Sequence, residues 1–265
     1  MLETLDPGVL TFLALAGLAA GFVDAVVGGG GLIQLPALLV GLPGASPVQL
    51  LATNKLGSIM GTATSSITYY RRIRPDLRTA VPLALAAFAG SVGGASLAFL
   101  LTREAFNPII LVVLVGVGLY TLARPSMGQL QRLRFGHRRP RRHLAATLLI
   151  GVLVGSYDGA LGPGTGSFFV FALVSALGYG FLEASAKAKI ANFATNLAAL
   201  VVFVPQGAVI WQVGLLMGAC NVLGGYLGTR VAVARGSRFV RVFFVVVLAA
   251  FVVRIGVDTW RQLVP

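Results

Sequence analysis

Apolar residues run along this chain in long blocks, separated by short stretches that carry arginine. The blocks cover residues 9–42, 48–70, 80–102, 106–123, 144–182, 184–204, 208–229 and 239–257. Most are close to the roughly 20 residues that a helix needs to cross a bilayer. Two are longer, and glycine interrupts both: 9–42 at Gly28-Gly29-Gly30-Gly31, and 144–182 at Gly162-Pro163-Gly164. In lipid every backbone polar group must be satisfied internally, which leaves helices as the spanning element for blocks of this length. The pattern predicts an all-α integral membrane protein of about eight membrane segments, the first of each half broken at its glycine cluster.

The blocks also repeat. With an offset of 134, Gly21 aligns with Gly155, Asp24 with Asp158, Gly28 with Gly162, Gly30 with Gly164, Ala52 with Ala186 and Lys55 with Lys189. Gly93-Gly94 resembles Gly224-Gly225 at a slightly shorter offset. The expected organisation is a first membrane repeat over 1–123, a basic linker over 124–143 and a second membrane repeat over 144–265.

Loop charge sets the expected orientation. Arginine concentrates in Arg71–Arg78, in the central linker and in Arg230–Arg241. The positive-inside rule places all three on the cytoplasmic side. Span 48–70 then runs inward and its counterpart 184–204 outward, and the other matched spans oppose each other likewise. This is an inverted-topology repeat. Segment 9–42 must start and end outside, and 144–182 must start and end inside. Each is therefore a hairpin, either two crossings or a re-entrant pair. Short broken helices meeting near the midplane are favoured, because irregular backbone at depth is tolerated beside a cavity. Both termini face outward.

Composition sharpens this in three ways. Of 265 residues, 57% are hydrophobic and only 11% charged, against the roughly 25% usual in soluble domains. A formal net charge of +13 would suggest nucleic acid in a soluble protein, but here the arginines sit in loops, so no nucleic-acid partner is expected. Cys220 excludes an internal disulfide, and Glu3 and Asp6 stand where a signal peptide would carry basic residues.

Candidate chemistry is confined to a few positions. All three lysines fall in two motifs, Ala52-Thr53-Asn54-Lys55 and Ala186-Lys187-Ala188-Lys189. A charge within a membrane helix costs at least about 2.5 kcal/mol near the centre, so Lys55 and Lys189 are either attractors of an anionic substrate or are snorkelling or paired with Asp24 or Asp158. Lys187, with no counterpart in the first half, reads as a cytoplasmic-interface lysine. Asp24 and Asp158 are acids well inside apolar segments. They could couple transport to protons, or hold a lysine or cap a broken helix. Consecutive glycine amides ahead of a helix N-terminus form an anion nest. Helices beginning near Gly31 and near Thr165 would aim Gly29, Gly30 and Gly31, and Gly164 and Thr165, at one point; tight helix packing is the alternative. Asn54, Ser58 and Thr62 share one helix face, as do Asn192 and Asn196, either lining a pathway or bonding neighbouring helices. No metal cluster, Walker loop or nucleophile triad is present, so neither a cofactor nor an enzyme activity is expected.

The run Gly21-Phe-Val-Asp-Ala-Val-Val-Gly-Gly-Gly-Gly-Leu32, then Pro36, then Ala52-Thr-Asn-Lys55, resembles the TauE/SafE family of sulfite and organosulfur anion exporters. Gly155-Ser-Tyr-Asp-Gly-Ala-Leu-Gly-Pro-Gly-Thr-Gly-Ser-Phe168 is similar to a bacterial subgroup of it. The resemblance implies a secondary transporter in a bacterial cytoplasmic membrane, carrying an anion such as a sulfur oxyanion or sulfonate by alternating access between the repeats. A passive anion channel is the other reading. The family motifs fall on Asp24, Gly28 to Gly31, Asn54, Lys55, Asp158, Gly162, Gly164 and Lys189, although Ala188 stands where the first half has Asn54. Expected partners are the small anion and membrane lipids, with a homodimer left open.

Overall fold

The computed structural model describes residues 6–98, 133–135 and 140–263. All the regular elements among them are helical: α1 (Pro7–Val27), α2 (Gly31–Gly41), α3 (Pro47–Ile73), α4 (Leu77–Leu97), α5 (Pro140–Ala160), α6 (Thr165–Ala172), α7 (Phe181–Phe203) and α8 (Trp211–Leu263). The expected segment 106–123 and most of the linker 124–143 lie outside the described residues. Gly236, with φ 70° and ψ −172°, breaks α8 into arms 211–235 and 237–263, which correspond to the last two expected spans.

Local chemistry sets the boundaries. Asp6 caps α1 by accepting from the Gly8 amide at 3.1 Å, and Pro7 occupies the first turn, where no amide is needed. Ser46 and Gln49 form a reciprocal capping box at the start of α3. Gly28 ends α1 in the left-handed conformation at φ 87°. Helices α1, α4 and α5 are each long and apolar enough to cross a membrane. Helices α3 and α7 have the length, at 27 and 23 residues, but their Lys, Asn, Ser and Thr positions lower the hydropathy. The return limbs of the two hairpins are short. Helix α2 has 11 residues, about 16 Å at 1.5 Å per residue, and α6 has 8 plus a five-residue π turn, Leu173–Leu177.

Packing exchanges partners between the halves of the chain. Helix α1 packs on α8 and α5 on α4; α3 packs on α8 and α7 on α4; α3 and α7 meet at the centre. Glycine permits the closest of these approaches. A Cβ at Gly90 would collide with the Val152 carbonyl and one at Gly94 with that of Ser156. In the other half, Gly224 faces the Leu18 carbonyl and Gly228 that of Phe22. Each member of these contacts is 134 residues from its counterpart. This corrects the expected alignment of Gly93-Gly94 with Gly224-Gly225. Gly93 faces open space, so the glycines that pack are Gly90 and Gly94, and no shortened offset is needed.

The arginine-bearing segments among the described residues gather at one end. The Thr79 hydroxyl lies 3.0 Å from His143 Nε2 and 3.0 Å from Tyr179 Oη, joining the starts of α4 and α5 to the turn before α7. The Arg134 amide donates to the Leu177 carbonyl, and the Leu182 amide to Ser237 Oγ beside the α8 break. Block 144–182 therefore begins and ends together, as a hairpin must. At the opposite end the Ile210 amide donates to Thr53 Oγ1 at 3.0 Å.

Candidate functional site

The two breaks cross in the interior. Gly28 and Gly166 press backbone against backbone, a contact no side chain would survive. The Ser167 amide donates to the Gly28 carbonyl at 3.2 Å, and its hydroxyl donates to the Val27 carbonyl at 2.9 Å. The α6 N-terminus is thus fastened to the α1 C-terminus. Around the crossing lies a small polar cavity of about 20 Å³, room for roughly one water molecule. Its floor is backbone and small side chains from Gly28, Gly31, Gly162, Gly164, Thr165 and Gly166. Helices α2 and α6 begin at Gly31 and Thr165, the two positions read from the sequence, and both border the cavity.

Helices α3, α5 and α1 bring charge to it. Lys55 Nζ lies 2.6 Å from Asp158 Oδ2, with both side chains only 2% exposed. That oxygen makes no directed hydrogen bond, so the contact is an ion pair held by charge rather than by alignment. Lys189 Nζ donates to Asp24 Oδ2 at 2.9 Å in a second buried pair. Each pair joins the two halves of the chain, the lysine of one to the aspartate of the other. Asp24, Asn54, Lys55, Asp158 and Asn192 line the cavity, while Lys189 stands behind Asp24.

The remaining expected positions divide. Gly29 and Gly30 lie off the cavity; Gly30 packs against Ala20 and Asp24 of α1. The polar stripe of α3 divides along its length. Asn54 and Ser58 face the cavity, whereas Thr62 Oγ1 accepts from Asn196 Nδ2 at 3.4 Å and ties α3 to α7. Asn54 Oδ1 is buried without a partner. Lys187 sits at the arginine-bearing end, fully buried, paired with Glu183 and 4.3 Å from the Tyr179 ring centre. Three features are additional to the expected site. Gly166 floors the cavity; its place in the Gly-Pro-Gly-Thr-Gly run was the available signal. Gln34 Oε1 accepts from Asn221 Nδ2 at 2.8 Å, and Tyr69 Oη donates to the Ala25 carbonyl at 3.0 Å. These polar contacts fix α2 to α8 and α3 to α1 around the site.

The model of the family described as "Sulfite exporter TauE/SafE" matches residues 13–255. A "Probable membrane transporter protein ORF9" of Sinorhizobium sp is 39% identical over 256 residues, covering 96% of this chain and 95% of its own length. "Probable membrane transporter protein YfcA" of Escherichia coli strain K12 is 34% identical over 262 residues, covering 99% and 94%. A "Probable membrane transporter protein" of Haemophilus influenzae is 34% identical, covering 91% and 93%. No solved structure matches the chain.

Proposed function

Since the chain belongs to the TauE/SafE family, whose relatives are named as membrane transporters, we propose that it is a secondary transporter of a small anion, with its substrate site at the crossing of the two broken hairpins. The observation that carries this reading is Lys55, a buried cation facing a polar cavity that two helix N-termini also border. Helix N-termini and amides favour negative charge, and the ammonium adds a full positive one. Asn54, Asn192 and Thr165 would orient the anion's oxygens. A sulfur oxyanion or sulfonate suits this donor set, and the family description points to the same class.

The cavity as it stands holds about one water and no anion of that size. Binding then requires the elements around it to part, which favours alternating access over an open pore. The contact pattern repeated at an offset of 134 supports two inverted membrane repeats, 1–123 and 144–265, that move relative to each other. Gathering of the arginine-rich segments at one end supports a cytoplasmic membrane orientation with that end inside. Counterflow in proteoliposomes tests the proposal, using labelled sulfite, sulfoacetate, thiosulfate and methanesulfonate. Saturable exchange of at least one is expected. Rates equal to those of empty liposomes for all four would overturn it.

A further inference from the structure

Among the described residues, the buried charges around the cavity cancel. Lys55 and Lys189 contribute two positive charges, Asp24 and Asp158 two negative ones. An anion entering this region would leave one uncompensated negative charge in a dehydrated interior, an expensive arrangement. Lys55 cannot serve the anion fully while it serves Asp158. Resting on the transport reading above, we infer that Asp158 is the proton-binding partner of the substrate, so that one monoanion and one proton cross together.

The exchange balances atom by atom. The anion takes the place of the Asp158 carboxylate beside the Lys55 ammonium. The freed carboxylate binds one proton from the aqueous phase then open to the cavity. The loaded site is again neutral, holding Lys55 with the anion and Asp158 as its acid. On the other side the anion leaves, the proton leaves, and the carboxylate returns to Lys55.

Three observations select Asp158 over Asp24. The Lys55–Asp158 pair lines the cavity at both ends, whereas Lys189 lies off it. The Asp158 oxygen facing Lys55 lacks a directed hydrogen bond, whereas Asp24 accepts one from Lys189. Asn54, next to Lys55, presents a buried unpartnered oxygen that an Asp158 acid or a substrate hydroxyl could satisfy; Ala188 takes that place beside Lys189. Among the described residues, the ionisable groups around Asp158 are few. Lys55 faces it from α3, Asp24 lines the same cavity from α1 with Lys189 of α7 behind it, and Tyr157 adjoins it on α5. On the α4 side, the atoms met at Gly155 and Gly159 belong to the backbone of Ala87, Ser91 and Ala95, none of which carries an ionisable side chain.

The test is driven uptake of methanesulfonate, which stays a monoanion across the working pH. Wild-type proteoliposomes are clamped at zero potential under an acid-outside pH gradient, then at equal pH under an imposed potential. The expected result is accumulation of about tenfold per pH unit in the first case and none in the second. Uptake that follows the potential and ignores the pH gradient would overturn the inference and leave the transport reading standing. Absence of flux for all four anions would remove that reading and the inference with it, whereas flux of sulfoacetate or thiosulfate without either methanesulfonate or sulfite would overturn the monoanion–proton inference alone. Should sulfite alone be carried, the equal-pH clamp decides, because bisulfite deprotonates near neutral pH and a pH gradient alone would concentrate it: uptake indifferent to the potential is expected, and uptake that follows the potential would overturn the inference. In Asp158→Asn any methanesulfonate uptake that remains is expected to ignore the pH gradient, and a variant still driven by pH would contradict the assignment; should no uptake remain, the wild-type clamps decide. If D158N proves unstable, the wild-type clamp result alone decides.

Discussion

Two lysines and two aspartates, each fully or nearly buried, form crossed pairs between the halves of the chain. Breaking a buried pair by removing one partner costs about 3–5 kcal/mol, because the survivor is left charged and alone, whereas removing both is far milder. Lys55→Met is therefore expected to lower the thermal unfolding midpoint in detergent strongly, and Lys55→Met with Asp158→Asn to restore most of it. A second residue-level expectation concerns Asp76, the cap of α4. Burial alone would raise its carboxyl, but donation from the Thr79 hydroxyl and the Arg78 amide, with Lys187 and Arg78 nearby, holds it below its ordinary value of 3.8. The folded value is lower than the unfolded one, so this stabilisation is complete above about pH 4 and fades as pH falls below that. Asp76→Ala should flatten that part of an unfolding-against-pH curve. The positions of these charges were legible in the sequence, because Asp24, Lys55, Asp158 and Lys189 recur at one offset. Their pairing was not. Which aspartate meets which lysine depends on how the hairpins cross, and that is decided by helix packing far away in sequence.

At the level of elements, the glycine breaks were readable because a run of glycine inside an apolar block has few other uses. Their outcome was readable as well: α2 and α6 start where the anion-nest pattern placed them. The packing glycines were harder. In a chain with 34 glycines, facing matters more than spacing, and adjacent Gly93 and Gly94 have opposite roles. Gly94→Ala is expected to destabilise the protein, since its methyl would strike the Ser156 backbone, and Gly228→Ala should act alike against Phe22. Gly93→Ala meets nothing within 4 Å and should be neutral or slightly stabilising, the helix gaining up to about 1 kcal/mol of propensity. Unfolding midpoints of the three variants in one detergent check this; equal loss in all three would mean that the close approaches are not what holds α4 to α5 and α1 to α8. The π turn at Leu173–Leu177 left no mark in the sequence pattern, because its residues Leu-Val-Ser-Ala-Leu simply continue the apolar block.

For the whole molecule, the arrangement places loops 42–46 and 204–210 at the end opposite the arginine-rich segments. In a Cys220→Ala background, cysteines at Gly44 and Gln206, both exposed, should react with an impermeant maleimide added to intact cells. Cysteines at Arg72 and Arg238, likewise exposed in the structure, should react only after permeabilisation. The reverse pattern would turn the protein over in the membrane. The claim on which the rest depends is that Lys55 holds the anion, and the charge-neutral double variant separates that from folding. Labelled sulfite counterflow is to be compared between wild type and Lys55→Met with Asp158→Asn, each shown to be folded. The wild type should exchange sulfite and the double variant should fall to the rate of empty liposomes. A double variant exchanging at the wild-type rate would contradict the assignment of Lys55 as the anion's anchor.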